Sequence, residues 1–180
     1  MQKSKKQVRH QMLVRLSLSA VMAAASVVLC RYLGYSPPDS MYRVEIGFLP
    51  IAVVAILAGP LWSAASYGVA DLVGSLLTTG MNPLILLCKV LTGVLFGLLL
   101  YRRRQSFFLV LLTMIVVGGA VDVLLMSGVF VIYGYAPSYI VALAARSANA
   151  AVNLPIRVLL LQLLWKFGGR FFERFERSIR

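Results

Sequence analysis

The sequence predicts an all-α membrane protein: one domain, residues 1–180, of six transmembrane helices with the N and C termini cytoplasmic. Three observations carry that reading. Sixty per cent of the 180 residues are hydrophobic, only 13% are charged, and the mean hydropathy is +0.85. An ordinary soluble domain carries about 25% charged and 45–50% apolar residues, and a soluble fold of this size lacks the interior to hide so much apolar surface. The apolar residues also fall in blocks near the roughly 20 residues, at least about 17, that a spanning helix needs. Finally, the basic residues gather at alternate ends of those blocks.

The first block runs from about Leu13 to Leu33, behind a short basic tail at 1–12. It ends at Gly34, and Pro37-Pro38-Asp39-Ser40 marks a loop. The second begins near Phe48 and stops at Gly59-Pro60; it is short, and Pro50 sits in its first turn, where a missing N–H is tolerated. The third, from about Leu61 to Thr79, is rich in small residues and meets the turn Gly80-Met81-Asn82-Pro83. The fourth covers about Leu84 to Tyr101 and stops at Arg102-Arg103-Arg104. The fifth covers about Phe107 to Tyr133, where Gly134-Tyr135-Ala136-Pro137 breaks it. The sixth runs from about Ser138 to Trp165, with Pro155 as a candidate kink. The tail 166–180 alternates aromatics with Arg and Glu and reads as an interfacial amphipathic helix.

Twelve basic residues lie in the N-terminal tail, the turn after the fourth block and the C-terminal tail, whereas the opposite loops hold only Arg43. The positive-inside rule then places both termini in the cytoplasm of a multi-pass cell-membrane protein. The chain carries 18 basic and 6 acidic residues, and a pI near 10.3 alone would suit nucleic acid. The placement of the cations among headgroups argues for a lipid bilayer partner and against nucleic acid. Ala23-Ala24-Ala25 after a basic start resembles a cleavage site, but the apolar run continues to spanning length. Cys30 and Cys88 both lie inside apolar blocks, which supports neither a disulfide framework nor a metal site.

A mid-helix charge costs at least about 2.5–3.5 kcal/mol in a bilayer, so Asp71, Lys89, Asp122, Arg146 and Arg157 each need a partner or a polar cavity. Arg146, Asn149, Asn153 and Arg157 form one helical stripe roughly 16 Å long. Such a stripe cannot face lipid. It is either the wall of a polar ligand cavity or interhelical glue. The cavity reading is favoured for Arg146 and Asn149, the glue reading for Arg157. Asp71 and Asp122 read as packing carboxylates that pair with Lys89, Arg146 or Arg157, with a proton relay as the alternative. Lys89 lies near the outer end of the fourth block, where it either snorkels or meets an anionic ligand. The outer loops add Tyr42, Arg43 and Glu45, with Tyr133, Tyr135 and Tyr139. These tyrosines form an interfacial belt or stack on a flat heterocycle. On the first block, Ser17, Ala20 and Ala24, and Ser19 and Ala23, keep the small-residue spacing that admits a close helix.

No P-loop, G-x-S-x-G or H-E-x-x-H motif occurs, and no block contains a histidine. These absences point away from an enzyme: no catalytic residue, metal site or cofactor is expected.

The stretch Arg43-Val44-Glu45-Ile46-Gly47-Phe48-Leu49-Pro50-Ile51, with Gly59-Pro60, Asp71-Leu72-Val73-Gly74, Lys89-Val90-Leu91-Thr92-Gly93 and Asn153-Leu154-Pro155-Ile156, resembles the substrate-binding S components of energy-coupling factor (ECF) vitamin transporters, folate group. The turn Thr79-Gly80-Met81-Asn82-Pro83 departs from the aromatic–proline turn of typical folate members. The resemblance implies a subunit that binds a vitamin from outside. It also implies docking, through an AxxxA face at Ala20 and Ala24, onto a transmembrane coupling subunit with two ATPases. If the ligand is folate, its pterin ring and glutamate tail call for aromatic surfaces, amides and cations. Tyr42, Tyr133 and Tyr139, Asn82 and Asn149, and Arg43, Lys89 and Arg146 supply all three, and the same set suits another anionic heterocyclic vitamin, the alternative ligand for such an S component. Two other functions fit the composition: a stand-alone proton-coupled carrier using Asp71 or Asp122, and a membrane-embedded lipid enzyme, the latter without a catalytic set.

Overall fold

The structure is a computed structural model and describes residues 5–32, 46–77, 80–101, 103 and 106–179. Six helical segments follow one another: α1 (Lys5–Tyr32), α2 (Phe48–Ala58), α3 (Pro60–Leu76), α4 (Pro83–Leu100), α5 (Phe107–Ile132) and α6 (Tyr139–Ile179). Proline opens α3 and α4, where its missing N–H leaves no hydrogen bond unmade. Among the described residues there is no strand.

Four of the helices are long and apolar enough to cross a membrane: α1, α4, α5 and α6. The other two fall short of a full span for an intelligible reason. Ten of the 11 residues of α2 are buried, every one but Leu49. A helix that is hydrophobic all round belongs inside a bundle, and α2 packs against α1, α3, α4 and α6. Shielded by protein, it is only about 16 Å long. The 17-residue α3 lies between α1 and α4.

A single residue, Gly59, joins α2 to α3. Its φ of +97° suits glycine alone, and a side chain there would press against the Tyr101 ring. Beside this bend α3 and α4 cross at close range. A Cβ on Gly97 would lie 2.1 Å from Pro60 Cα, and one on Gly93 would lie 2.7 Å from Ala64 Cα. The close approach lets Ser63 Oγ donate to the Gly93 carbonyl at 2.6 Å.

The fifth segment is not a uniform α-helix. Residues Gly118–Leu125 form a π-helical stretch between α-helical Phe107–Val117 and Met126–Ile132. Gly118-Gly119 opens it, and a Cβ on either glycine would touch nothing within 4 Å. The sixth segment is also not as expected. The sequence reading ends the span at Trp165 and starts a separate tail at 166. The helix instead continues without a break through Pro155 and Trp165 to Ile179, about 60 Å in all. Its continuation is anchored: Trp165 stacks on Phe172, and Phe172 is buried against Val53 and Leu57 of α2, with Leu18 and Met22 of α1 alongside.

The main core fills the half of the bundle nearest the Gly59 bend and Tyr101. Phe48, Ile51, Ala55, Phe96, Leu100, Val110, Met114, Val158 and Leu161 meet there. In the half towards residues 80–83 and 133–138 the helices part around a cavity.

Candidate functional site

The cavity has a volume of about 500 Å³, within the range of small-molecule sites. Every helical segment but α2 contributes to its wall: Ser26 and Cys30 from α1, Tyr67 and Asp71 from α3, Lys89 from α4 with Asn82 just before it, Asp122 and Phe130 from α5, and Arg146, Asn149, Asn153 and Arg157 from α6; Gly47, just before α2, completes it. Five side chains of the charged types thus share one chamber: Asp71, Lys89, Asp122, Arg146 and Arg157.

The deep end is held by an ion pair. Arg157 Nη1 donates to Asp122 Oδ2 at 2.5 Å, with the two side chains only 14% and 20% exposed. Arg157 also stands over the Phe48 ring, 5.7 Å from its centroid, which ties the start of α2 to α5 and α6. The π-helical stretch carries Asp122. Nearer the other end, the Arg146 guanidinium lies 3.9 Å from the Phe130 ring centroid, and Lys89 Nζ is 5.4 Å from that of Tyr67. Both are favourable cation–π arrangements. They hold the cationic heads over aromatic rings of the chamber wall. On α1, Ser26 Oγ donates to the Gly47 carbonyl at 2.6 Å and fixes that helix against the entry to α2.

The arrangement can hold a ligand with a flat ring and one or more acidic groups. Aromatic surface comes from Tyr67, Phe130 and Tyr135, amides from Asn82 and Asn149, and cationic charge from Lys89 and Arg146. Among the described residues no three His, Cys, Asp or Glu side chains converge as a metal site, and Cys30 and Cys88 form no disulfide.

The model of one protein family spans most of the chain: residues 14–166 match the ECF transporter, substrate-specific component. The chain belongs to that family. It is a transporter's substrate-binding S component in a membrane, and the family is not one of enzymes. Its fold is similar to that in a crystal structure of FolT bound with folic acid, with a TM-score of 0.70 and 24% sequence identity over 81% of this chain and 87% of that chain. A comparison with curated protein sequences gives no match.

In this S component the residues expected from the sequence are sorted as follows. Asn82, Lys89, Arg146 and Asn149 are brought together on the cavity wall. Tyr133 and Tyr139 are not on it. Tyr133 stacks on Tyr135 at 6.0 Å, and Tyr139 donates its hydroxyl to the Leu124 carbonyl at 3.3 Å. Tyr135 lines the cavity in their place, edge-on to Phe130 and 3.5 Å from the Asn82 amide. Tyr42 and Arg43 lie outside the described residues. Asp71, Asp122 and Arg157, which the sequence reading assigns to packing, line the cavity as well. The sequence reading missed Tyr67 and Phe130: an aromatic ring inside an apolar block is no sign of a site, and the cations above the two rings reveal their place.

On α1, Ser17, Ala20 and Ala24 are exposed, in line with Leu13, Val21 and Val28. The second small-residue pair, Ser19 and Ala23, faces inward and is buried. Between Leu13 and Val28 the exposed face of α1 therefore carries only apolar or small residues and is shallow at its middle.

Proposed function

We propose that this S component captures folate from outside the cell and passes it to an ATP-driven energising module in the cell membrane. The observation that carries the reading is the composition of the cavity: cations, amides and aromatic rings together in a chamber of about 500 Å³. The likeness in fold to FolT bound with folic acid supports the same ligand class. In this reading Arg146, helped by Lys89 and the outer-loop Arg43, holds the glutamate carboxylates, and the pterin ring lies deeper among Tyr67, Phe130 and Asn149. All six helical segments lie within the bilayer, α2 and α3 shielded by the longer ones, with both termini cytoplasmic, so that the cavity end faces outward. The shallow face at Ala20 and Ala24 docks on a transmembrane coupling subunit that carries two ATPases, because small residues let a partner helix approach closely.

Calorimetry with the purified protein and a panel of vitamins tests the ligand. Folate is expected to bind. Arg146→Gln should weaken folate about 30-fold or more, the usual loss for a cation in a partly desolvated pair. The same substitution should affect an analogue lacking the carboxylates far less. Tight binding of a vitamin without carboxylates, or equal losses for both ligands, would reject the assignment.

A further inference from the structure

Asn149 and Asn153 sit one turn apart on α6, and both line the cavity. Asn153 is 3% exposed. Its Nδ2 donates to the backbone carbonyl of Asn149 at 3.0 Å and to Asn149 Oδ1 at 2.6 Å. A carboxamide has one acceptor oxygen and one donor NH2 group. An unrestrained asparagine can turn over and offer either, so it reads little of a ligand's polarity. Here the oxygen of Asn149 is engaged from behind by Asn153, and the helix backbone fixes Asn153 in turn. The group that Asn149 has left for the cavity is its NH2.

We infer that Asn153 is a positioning residue that fixes Asn149 as a hydrogen-bond donor, so that the site selects a heterocycle bearing a carbonyl or ring-nitrogen acceptor over one bearing an amine at the same place. The inference rests on the folate reading and deepens it. Arg146 lies one turn nearer the cavity mouth than Asn149 on the same stripe, so a ligand whose acidic tail leads out past Arg146 sets its ring edge at Asn149. Folate presents a 4-oxo group on that ring, and its 4-amino analogue is nearly the same size with the opposite polarity. An amine against the Asn149 NH2 leaves two donors facing each other in a confined site, which costs more than a missing bond.

Binding of the 4-oxo and 4-amino ligands to three proteins tests this. The wild type should prefer the 4-oxo form by roughly ten- to hundredfold. Asn149→Asp keeps the shape and still accepts the bond from Asn153, but it presents an oxygen, so the preference should invert. Asn153→Leu releases the Asn149 amide, so the ratio should fall towards one while the melting temperature reports on the fold. If Asn153→Leu does not fold, Asn149→Asp at its half-buried position decides alone. An unchanged ratio in the variants, with both ligands weakened alike, would overturn the inference and leave the folate reading intact. Failure of the wild type to bind either pteridine would overturn both.

Discussion

At the scale of single residues, the costliest groups in the bilayer are also the most informative. Asp122 and Arg157 are two half-buried charges that hold each other, and the Asp122 carboxylate accepts directly from the guanidinium. Removing one partner strands the other, whereas removing both does not. Asp122→Asn or Arg157→Gln should therefore each cost about 2–3 kcal/mol of stability, somewhat below the usual loss for a fully buried pair. The double variant should cost clearly less than the sum. Thermal unfolding in detergent measures this, and strict additivity would show that the two side chains do not depend on each other. The stripe of Arg146, Asn149, Asn153 and Arg157 was legible because polar groups at helical spacing have nowhere else to go in lipid. The tyrosines were not legible. Which of Tyr133, Tyr135 and Tyr139 reaches the cavity depends on the turn at Gly134, whose φ of +72° sets the direction of the chain. Nothing in the spacing of the tyrosines states that direction.

At the scale of elements, glycines separate two kinds of helix contact. Gly97 lets α4 lie against Pro60, and any side chain there would overlap backbone. Gly118 begins the π-helical stretch in open space. Gly97→Ala should destabilise the protein by about 3 kcal/mol or more, since backbone cannot yield as a flexible side chain does. Gly118→Ala should be neutral or stabilising by up to about 1 kcal/mol, through the entropy of glycine. Melting temperatures of the two variants in the same detergent compare them directly, and similar losses would mean that the α3–α4 crossing is looser than its geometry. Helix boundaries were readable to within a few residues because Gly and Pro mark them at 59–60, 80–83 and 134–137. The π-helical stretch was not, as Gly118-Gly119 is compatible with an ordinary helix. The extension of α6 was missed because a basic, aromatic sequence suits a surface helix equally well. Burial of Phe172 against α2 decides between them, and it is a tertiary contact.

At the scale of the whole molecule, the bundle has a solid half and a hollow half. Composition alone made the membrane reading secure, and the count of six helices followed from the breaks between blocks. Length alone could not tell which helices meet lipid: α2 is the most completely buried element and among the shortest. The proposed orientation rests on the charge asymmetry of the sequence, with twelve basic residues in the two tails and the turn after the fourth apolar block and only Arg43 in the opposite loops. In cells, a cysteine introduced at Met41 should react with an impermeant thiol reagent from outside, and one at Arg103 only after the membrane is opened. Cys30 and Cys88 are replaced beforehand. The reverse pattern would turn the cavity towards the cytoplasm and exclude capture from outside.

The burial of α2 also bears on how the chain enters the bilayer during synthesis. Its 11 residues are too few to hold a transmembrane position alone, and the 17 of α3 sit at the lower limit. Only Gly59 separates them. The insertion machinery must therefore accept 48–76 as one unit. α2 then gains its lasting environment only when α4 and α6 close around it. Until that closure, its anchorage in the membrane depends on α1 and α3.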